Sequence, residues 1–279
     1  MTQLVRHATP AAFLAAATPF LLSDEVLHGL PLSVARACAD EPDRYPGPNL
    51  LATVHDARGG PVTGVAVMTP PHRLQLYVRP DDVEALVADL AALPLAGVHG
   101  PVEVAAAFAS RWAAARGVRA VEERGLRLFR LRRVVPPRPA PGAFRQADER
   151  DLPVVEGWYR AFFVETAHVV GALSPEEHGR RAVAGGRVWL WVDEDDAPVS
   201  QAVAVALTAT MARIGAVYTP PARRGQGGAS LVVAALSQRL LDEGRAPCLF
   251  TDLANPTSNS IYKKIGYEAV ADLKDFDLA

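Results

Sequence analysis

Val217-Tyr218-Thr219-Pro220-Pro221-Ala222-Arg223-Arg224-Gly225-Gln226-Gly227-Gly228-Ala229-Ser230 lies between a strand-like run, residues 211–219, and a helical run in which Val232, Leu236 and Leu240 recur at i, i+4 and i+8. Glycines at such a junction permit left-handed backbone angles and leave no side chain above the peptide N–H groups, so those donors can face an anion. The unpaired N–H groups of a helix's first turn, and the positive end of its dipole, reinforce that preference. The segment reads as a seat for a phosphate or diphosphate, with a plain strand-to-helix turn as the alternative. A dinucleotide fingerprint would need glycine again where Ser230 stands, and a P-loop would need a lysine that the stretch lacks.

A second informative stretch is Thr251-Asp252-Leu253-Ala254-Asn255-Pro256-Thr257-Ser258-Asn259-Ser260-Ile261-Tyr262-Lys263-Lys264-Ile265-Gly266-Tyr267. Asn255 and Pro256 read as N-cap and first helical residue. Lys263 and Lys264 lie near the negative end, and Gly266 supplies a left-handed stop. Helical spacing puts Ile261 and Ile265 on one face, suited to a sheet, and groups Asn255, Asn259 and Tyr262 on another, where they could converge on a ligand. Read for structure alone, the same residues form a neatly capped short helix with a partly exposed tyrosine.

Together the two stretches carry a resemblance. Arg224-Gly225-Gln226-Gly227, preceded by Pro220-Pro221 and followed by a small-residue helix start, resembles the acetyl-CoA signature of the GCN5-related N-acetyltransferase (GNAT) family, Gln/Arg-x-x-Gly-x-Gly/Ala. Gly225 and Gly227 occupy its glycine positions, while Ala222 departs from its opening Gln/Arg. The second stretch resembles the family's C-terminal motif. The resemblance covers the chain from about residue 143 onward. It implies an acyl-CoA N-acyltransferase fold: α/β, with a mixed, mostly antiparallel central sheet flanked by helices. It further implies acetyl-CoA as cosubstrate, gripped by Val217, Tyr218 and Thr219 at the strand end and by Arg224, Gly225, Gln226, Gly227, Gly228, Ala229 and Ser230 in the loop. Asn255, Asn259 and Tyr262 would close on the coenzyme arm, with Tyr262 as the general acid for the departing thiolate.

In that fold the thioester sits in a V-shaped opening, here between residues 211–219 and 248–253, where Val217 or a neighbouring N–H would polarise its carbonyl. The acceptor expected is a small amine or a peptide N-terminus. An amine of pKa near 10 is mostly protonated at neutral pH and needs help losing its proton. Glu165 is the candidate base, with His168 as its i, i+3 neighbour; a satisfied surface pair is the structural alternative. Cys248 has no assembled His or Asp partner and is expected to be buried rather than nucleophilic.

The remaining sequence bounds this reading. The chain has 279 residues, 49% of them hydrophobic, enough for a real core. At about 150 residues per domain, two domains are expected. The formal net charge of -2 argues against a nucleic-acid binder. The scattered histidines and the two cysteines, Cys38 and Cys248, lack zinc-ligand spacing, so no metal is expected. An apolar run at 11–17 follows Arg6 and His7 but is cut short by Pro19, which fits a helix near the start of a folded domain better than a signal peptide. No run has the length of a membrane span. The expectation is a cytoplasmic enzyme, monomer or homodimer.

The proline run from Val135 to Gly142 marks the expected linker, 136–142, between an N-terminal domain over 1–135 and the coenzyme domain over 143–279. In the first half, residues 50–55 and 62–68 read as a hairpin around Asp56-Ala57-Arg58-Gly59-Gly60. Residues 74–78 read as a strand and 81–90 as a helix with Val83, Leu86, Val87 and Leu90 on one face. Pro101 opens another helix, and residues 124–133 alternate arginine with Leu126, Leu128 and Leu131 as a half-buried edge strand with solvated arginines. The second half repeats this order, so the first resembles a degenerate tandem copy. Its turn, Arg79-Pro80-Asp81-Asp82-Val83, has no glycine loop, and its carboxylates would repel a diphosphate.

Overall fold

The computed structural model describes residues 2–166 and 173–279. In chain order its elements are β1 (Gln3–Arg6), α1 (Pro10–Ser23), α2 (Gly29–Asp40), β2 (Leu50–His55), β3 (Val62–Met68), β4 (Leu74–Tyr77), α3 (Val83–Leu90), β5 (Gly97–Pro101), α4 (Val102–Arg116) and β6 (Ala120–Arg130). There follow β7 (Ala143–Gln146), α5 (Leu152–Glu165), α6 (Pro175–Ala184), β8 (Val188–Val192), β9 (Pro198–Ala206), β10 (Met211–Tyr218), α7 (Gly228–Asp242), β11 (Ala246–Asp252), α8 (Pro256–Lys264) and β12 (Glu268–Leu278). Two compact units result, and they are not sequential: one comprises Met1–Leu128, Asp252–Ala254 and Val270–Ala279, the other Phe129–Thr251 and Asn255–Ala269. This differs from a division at the proline run, because β12 pairs antiparallel with β5, Leu273 against Pro101 through Asp277 against Gly97.

In the first unit β1 to β4 form antiparallel neighbours, while β4 and β5 run parallel. One sheet face is apolar: Leu74, Leu76 and Val98 meet Val83, Leu86, Val87 and Leu90 of α3, and Phe108 and Trp112 of α4. Each such side chain fully buried contributes about 1.5–3 kcal/mol before chain entropy is charged against it. Opposite Val98 in pleat, His99 Nδ1 lies 2.6 Å from Asp275 Oδ1 and His99 Nε2 lies 3.1 Å from the Tyr77 hydroxyl. Residues 120–130 form β6 rather than an edge strand with solvated arginines. Arg127 Nε donates to Asp272 Oδ1 at 2.7 Å, Arg124 Nη2 to Asp275 Oδ2 at 3.2 Å, and the Leu253 N–H to Gly125 O at 2.9 Å. These arginines are paired rather than solvated because carboxylates on β12 meet them.

The turn before α3 is filled from within. Arg79 Nε and Nη2 both donate to the Asp82 carboxylate at 3.0 Å, and Arg79 also pairs with Asp56. Burial works against ionising Asp82, but hydrogen bonds from Arg79 and Thr2 outweigh it and hold the pKa below the usual carboxylate value. A helix start that already holds a buried carboxylate is no place for a phosphate.

The second unit repeats the strand pattern. β7, β8, β9 and β10 are antiparallel neighbours, and β10 and β11 run parallel. One face packs Ala202, Ala212 and Ile214 against Val232, Leu236 and Leu240 of α7. The other packs Val188, Leu190 and Val203 against Val155, Tyr159 and Phe163 of α5 and Ala182 and Val183 of α6. Among the described residues no helix is long and apolar enough to cross a membrane.

Candidate active site

The site begins with a defect in β10. Its ladder with β9 runs to Gly215 opposite Val203 and resumes only at Tyr218 opposite Gln201, which leaves Ala216 and Val217 without ladder partners. Ala216 takes φ +45, a conformation rare outside glycine and concentrated at functional sites. On its other side β10 pairs with β11 only from Met211–Ala246 to Arg213–Cys248, and beyond that the two parallel strands carry no register. The peptide groups around Val217 therefore border an opening between parallel strands.

The strand then runs into the glycine loop. Gly225 and Gly227 adopt φ +77 and +86, and a Cβ built on either would meet nothing within 4 Å. Glycine is demanded here by backbone conformation and not by packing. Gly227 is the N-cap of α7, fifteen residues long, with no side chain capping it. Among the described residues the N–H groups of Gly225, Gln226, Gly227, Gly228, Ala229 and Ser230 find no acceptor in the chain, the first bond of the helix being Leu231 N–H to Gly227 O at 3.0 Å. A Cβ built on Gly228 would lie 3.1 Å from Val199 Cγ1 and 3.3 Å from Ser200 Cβ, so the helix start sits close against β9. The arrangement presents consecutive amides and an uncapped dipole end to solvent, the chemistry that holds a diphosphate.

Arg224, the last residue before those amides, is joined to the candidate base. Its Nη2 donates to Glu165 Oε1 at 2.8 Å and Oε2 at 2.7 Å, while its Nε donates to the Thr219 carbonyl at 2.9 Å. The Tyr218 hydroxyl donates to Glu165 Oε1 at 3.4 Å, and the Arg224 guanidinium lies 5.7 Å from the Tyr218 ring centroid. Burial, followed by the Glu165 charge, raises the Tyr218 pKa. Trp158 of α5 packs its ring 6.0 Å from that of Tyr218. His168, the expected neighbour of Glu165, lies outside the described residues.

On α8 the capping expectation and the grouping expectation part ways. Asn255 is the N-cap, its side chain accepting from Ser258 N–H at 3.0 Å. The Asn259 amide is spent inside the protein: Oδ1 accepts from Thr251 Oγ1 at 2.7 Å and Nδ2 donates to Asn255 O at 2.8 Å. Tyr262 does not share its face. It is buried with Ile265, Phe129 and Tyr267 in the core beneath α7, because a nine-residue helix against a sheet turns position 262 inward along with 265. Burial pushes the Tyr262 hydroxyl up to about 12, so it keeps its proton at neutral pH. Cys248, also buried, is pushed up to about 12 by desolvation and stays an unreactive thiol.

Two polar residues of β9 join the site without having been singled out from the sequence. Ser200 Oγ donates to the Tyr218 carbonyl at 3.0 Å and lies 2.8 Å from Thr219 Oγ1, fixing the strand end where the loop departs. Gln201, fully buried, donates from Nε2 to the Ala216 carbonyl at 3.2 Å. Their signal was present: a Ser-Gln pair inside the otherwise apolar run Val199 to Val205 is costly to bury unless it meets partners.

This geometry defines an acyl-coenzyme A N-acyltransferase fold. Residues 195–274 match the family model of FR47-like proteins. No curated protein matches the sequence. Among solved structures, an acetyltransferase of the GNAT family from Colwellia psychrerythraea aligns with a TM-score of 0.63 at 10% identity, covering 99% of this chain and 100% of that one. A GCN5-related N-acetyltransferase from Sphaerobacter thermophilus aligns at 0.60 and 16% identity, covering 99% and 94%. A tandem GNAT protein from the clavulanic acid biosynthesis pathway aligns at 0.55 and 16% identity, covering 100% and 98%. At these identities the likeness is one of fold, and it extends over the whole chain.

Proposed function

We propose that this protein transfers the acetyl group of acetyl-CoA directly to an amine, a small molecule or a peptide N-terminus. The observation that carries the reading is the run of amides at residues 225–230, unbonded within the described chain, beside two left-handed glycines at an uncapped helix start. The pyrophosphate of the coenzyme would lie on those amides, and its arm would follow β10 into the opening where β10 and β11 part. There the Val217 region is suited to polarising the thioester carbonyl as negative charge develops on its oxygen. The amine attacks the acetyl carbon, Glu165 takes the amine proton, and the coenzyme leaves as its thiolate. The first unit has its corresponding helix start filled by Arg79 and Asp82, so no second coenzyme seat is proposed there.

A second reading, a coenzyme-binding module without turnover, draws support from the engagement of Glu165 with Arg224. Calorimetric titration with acetyl-CoA tests the first element: a folded sample that takes up no heat of binding ends the coenzyme reading. Release of free thiol from acetyl-CoA on addition of primary amines then separates the two readings. Binding without any thiol release would favour the module.

A further inference from the structure

Glu165 and Arg224 come from different segments, the end of α5 and the residue before the glycine loop, and sequence reasoning gave them different tasks. In the structure each engages the other. Arg224 Nη2 reaches both carboxylate oxygens, and Tyr218 adds a hydroxyl to Oε1. A carboxylate with donors on both oxygens is poorly placed to accept an amine proton. A guanidinium so placed is not yet aimed at the amides beside it. Both side chains are nearly half exposed, 47% for Arg224 and 44% for Glu165, and an ion pair that wet is weak and readily exchanged. A diphosphate on the adjoining amides carries more negative charge than one carboxylate and offers oxygens in the planar spacing that arginine prefers.

The geometry points to a partner exchange: coenzyme arrival draws the Arg224 guanidinium from Glu165 to the diphosphate, and Glu165 becomes free to accept the proton of the acceptor amine. Arg224 is thus a positioning residue that couples an empty coenzyme seat to a masked base. No covalent bond changes in this step; one ion pair replaces another. The inference rests on the coenzyme reading above. It predicts an order of events, with coenzyme binding preceding productive binding of the amine.

The test is a double-mutant cycle on the affinity for acetyl-CoA alone, measured by calorimetry on the full chain with no acceptor present. In Glu165→Gln the arginine has lost its competing partner, and affinity rises roughly two- to fivefold, the scale of an exposed ion pair. In Arg224→Gln affinity falls, and adding Glu165→Gln to it changes nothing further. An unchanged or weaker affinity in Glu165→Gln overturns the exchange while leaving the coenzyme reading standing. A gain of equal size in the Arg224→Gln background also overturns it, because it reports only relief of carboxylate–phosphate repulsion. Failure of the wild type to bind acetyl-CoA removes the coenzyme reading itself. Both side chains lie at the surface, and melting curves establish that the variants are folded. Glu165→Ala repeats the measurement with no amide left to replace the carboxylate.

Discussion

The Gln201 side chain, with no solvent exposure, donates its Nε2 hydrogen to the carbonyl of Ala216, the residue at φ +45 in the β10 irregularity. A bulge in the middle of a sheet leaves a carbonyl turned off its ladder, and a buried carbonyl without a donor is expensive. Gln201 meets that need from the neighbouring strand, beside Ser200, which bonds the Tyr218 carbonyl.

Gln201→Leu therefore leaves the Ala216 carbonyl unsatisfied and destabilises the fold by about 1–3 kcal/mol. Thermal melting reads this as a lowered midpoint. Ala216→Gly, which removes the penalty of the left-handed angle, should leave the midpoint unchanged or raise it. A Gln201→Leu protein as stable as wild type would refute the support role.

Gly227→Ala tests the loop. The added methyl meets no atom within 4 Å, but a left-handed alanine costs roughly 1–2 kcal/mol. The protein should fold with unaltered circular dichroism. Affinity for acetyl-CoA should fall roughly tenfold as the amides swing off their aim, a loss on the scale of one charge-assisted hydrogen bond. Unchanged affinity would mean that these amides do not hold the diphosphate.

Tyr262→Phe tests whether the buried hydroxyl serves the departing sulfur: an acid role predicts turnover lowered by about 10- to 100-fold with acetyl-CoA affinity unaltered, and unchanged turnover leaves Tyr262 a core residue only. Alkali supplies a separate readout. The folded pKa, about 12, exceeds the ordinary tyrosine value of about 10, so the folded state holds this proton more tightly than the unfolded chain. The stability linked to Tyr262 is complete below pH 10 and is lost as pH rises from there through about 12. Melting curves across that window should slope less steeply in Tyr262→Phe than in wild type.

Asp275 predicts the acid limb. Burial opposes its ionisation, but the bond and charge of His99, with Arg124 and Arg73, prevail, and its folded pKa lies below the unfolded one. A depressed carboxylate stabilises the fold above the unfolded pKa and ceases to do so as pH falls through the folded value. Asp275→Asn should therefore cost about 2–3 kcal/mol at pH 7 and show a flatter decline below about pH 4. Equal acid sensitivity in the variant would count against this account.

Much was legible in the residues because the signals were local. The β2–β3 hairpin follows from two short apolar runs around a Gly-Gly turn, α3 from a stripe at helical spacing, and α8 from its Asn-Pro start and glycine stop. The glycine loop was readable because positive φ has few residue solutions, and left-handed angles at Gly225 and Gly227 are what the motif required. The α6 helix, Pro175–Ala184, was not anticipated, although Ser174 and Glu177 form a capping box.

What tertiary structure decided were relationships between distant positions. β12 joins the first unit because it pairs with β5, Asp275 meets His99 and Arg124, and Phe276 and Leu278 enter the α3–α4 core, pairings across more than a hundred residues that no local pattern encodes. Tyr262 turned inward because helix packing, and not the grouping of polar residues, sets which face is buried. The meeting of Arg224 with Glu165, and of Gln201 with Ala216, depends on how strands and helices stack. A sequence states which groups carry charge or donors, and the fold alone states which of them are brought within 3 Å or so of one another.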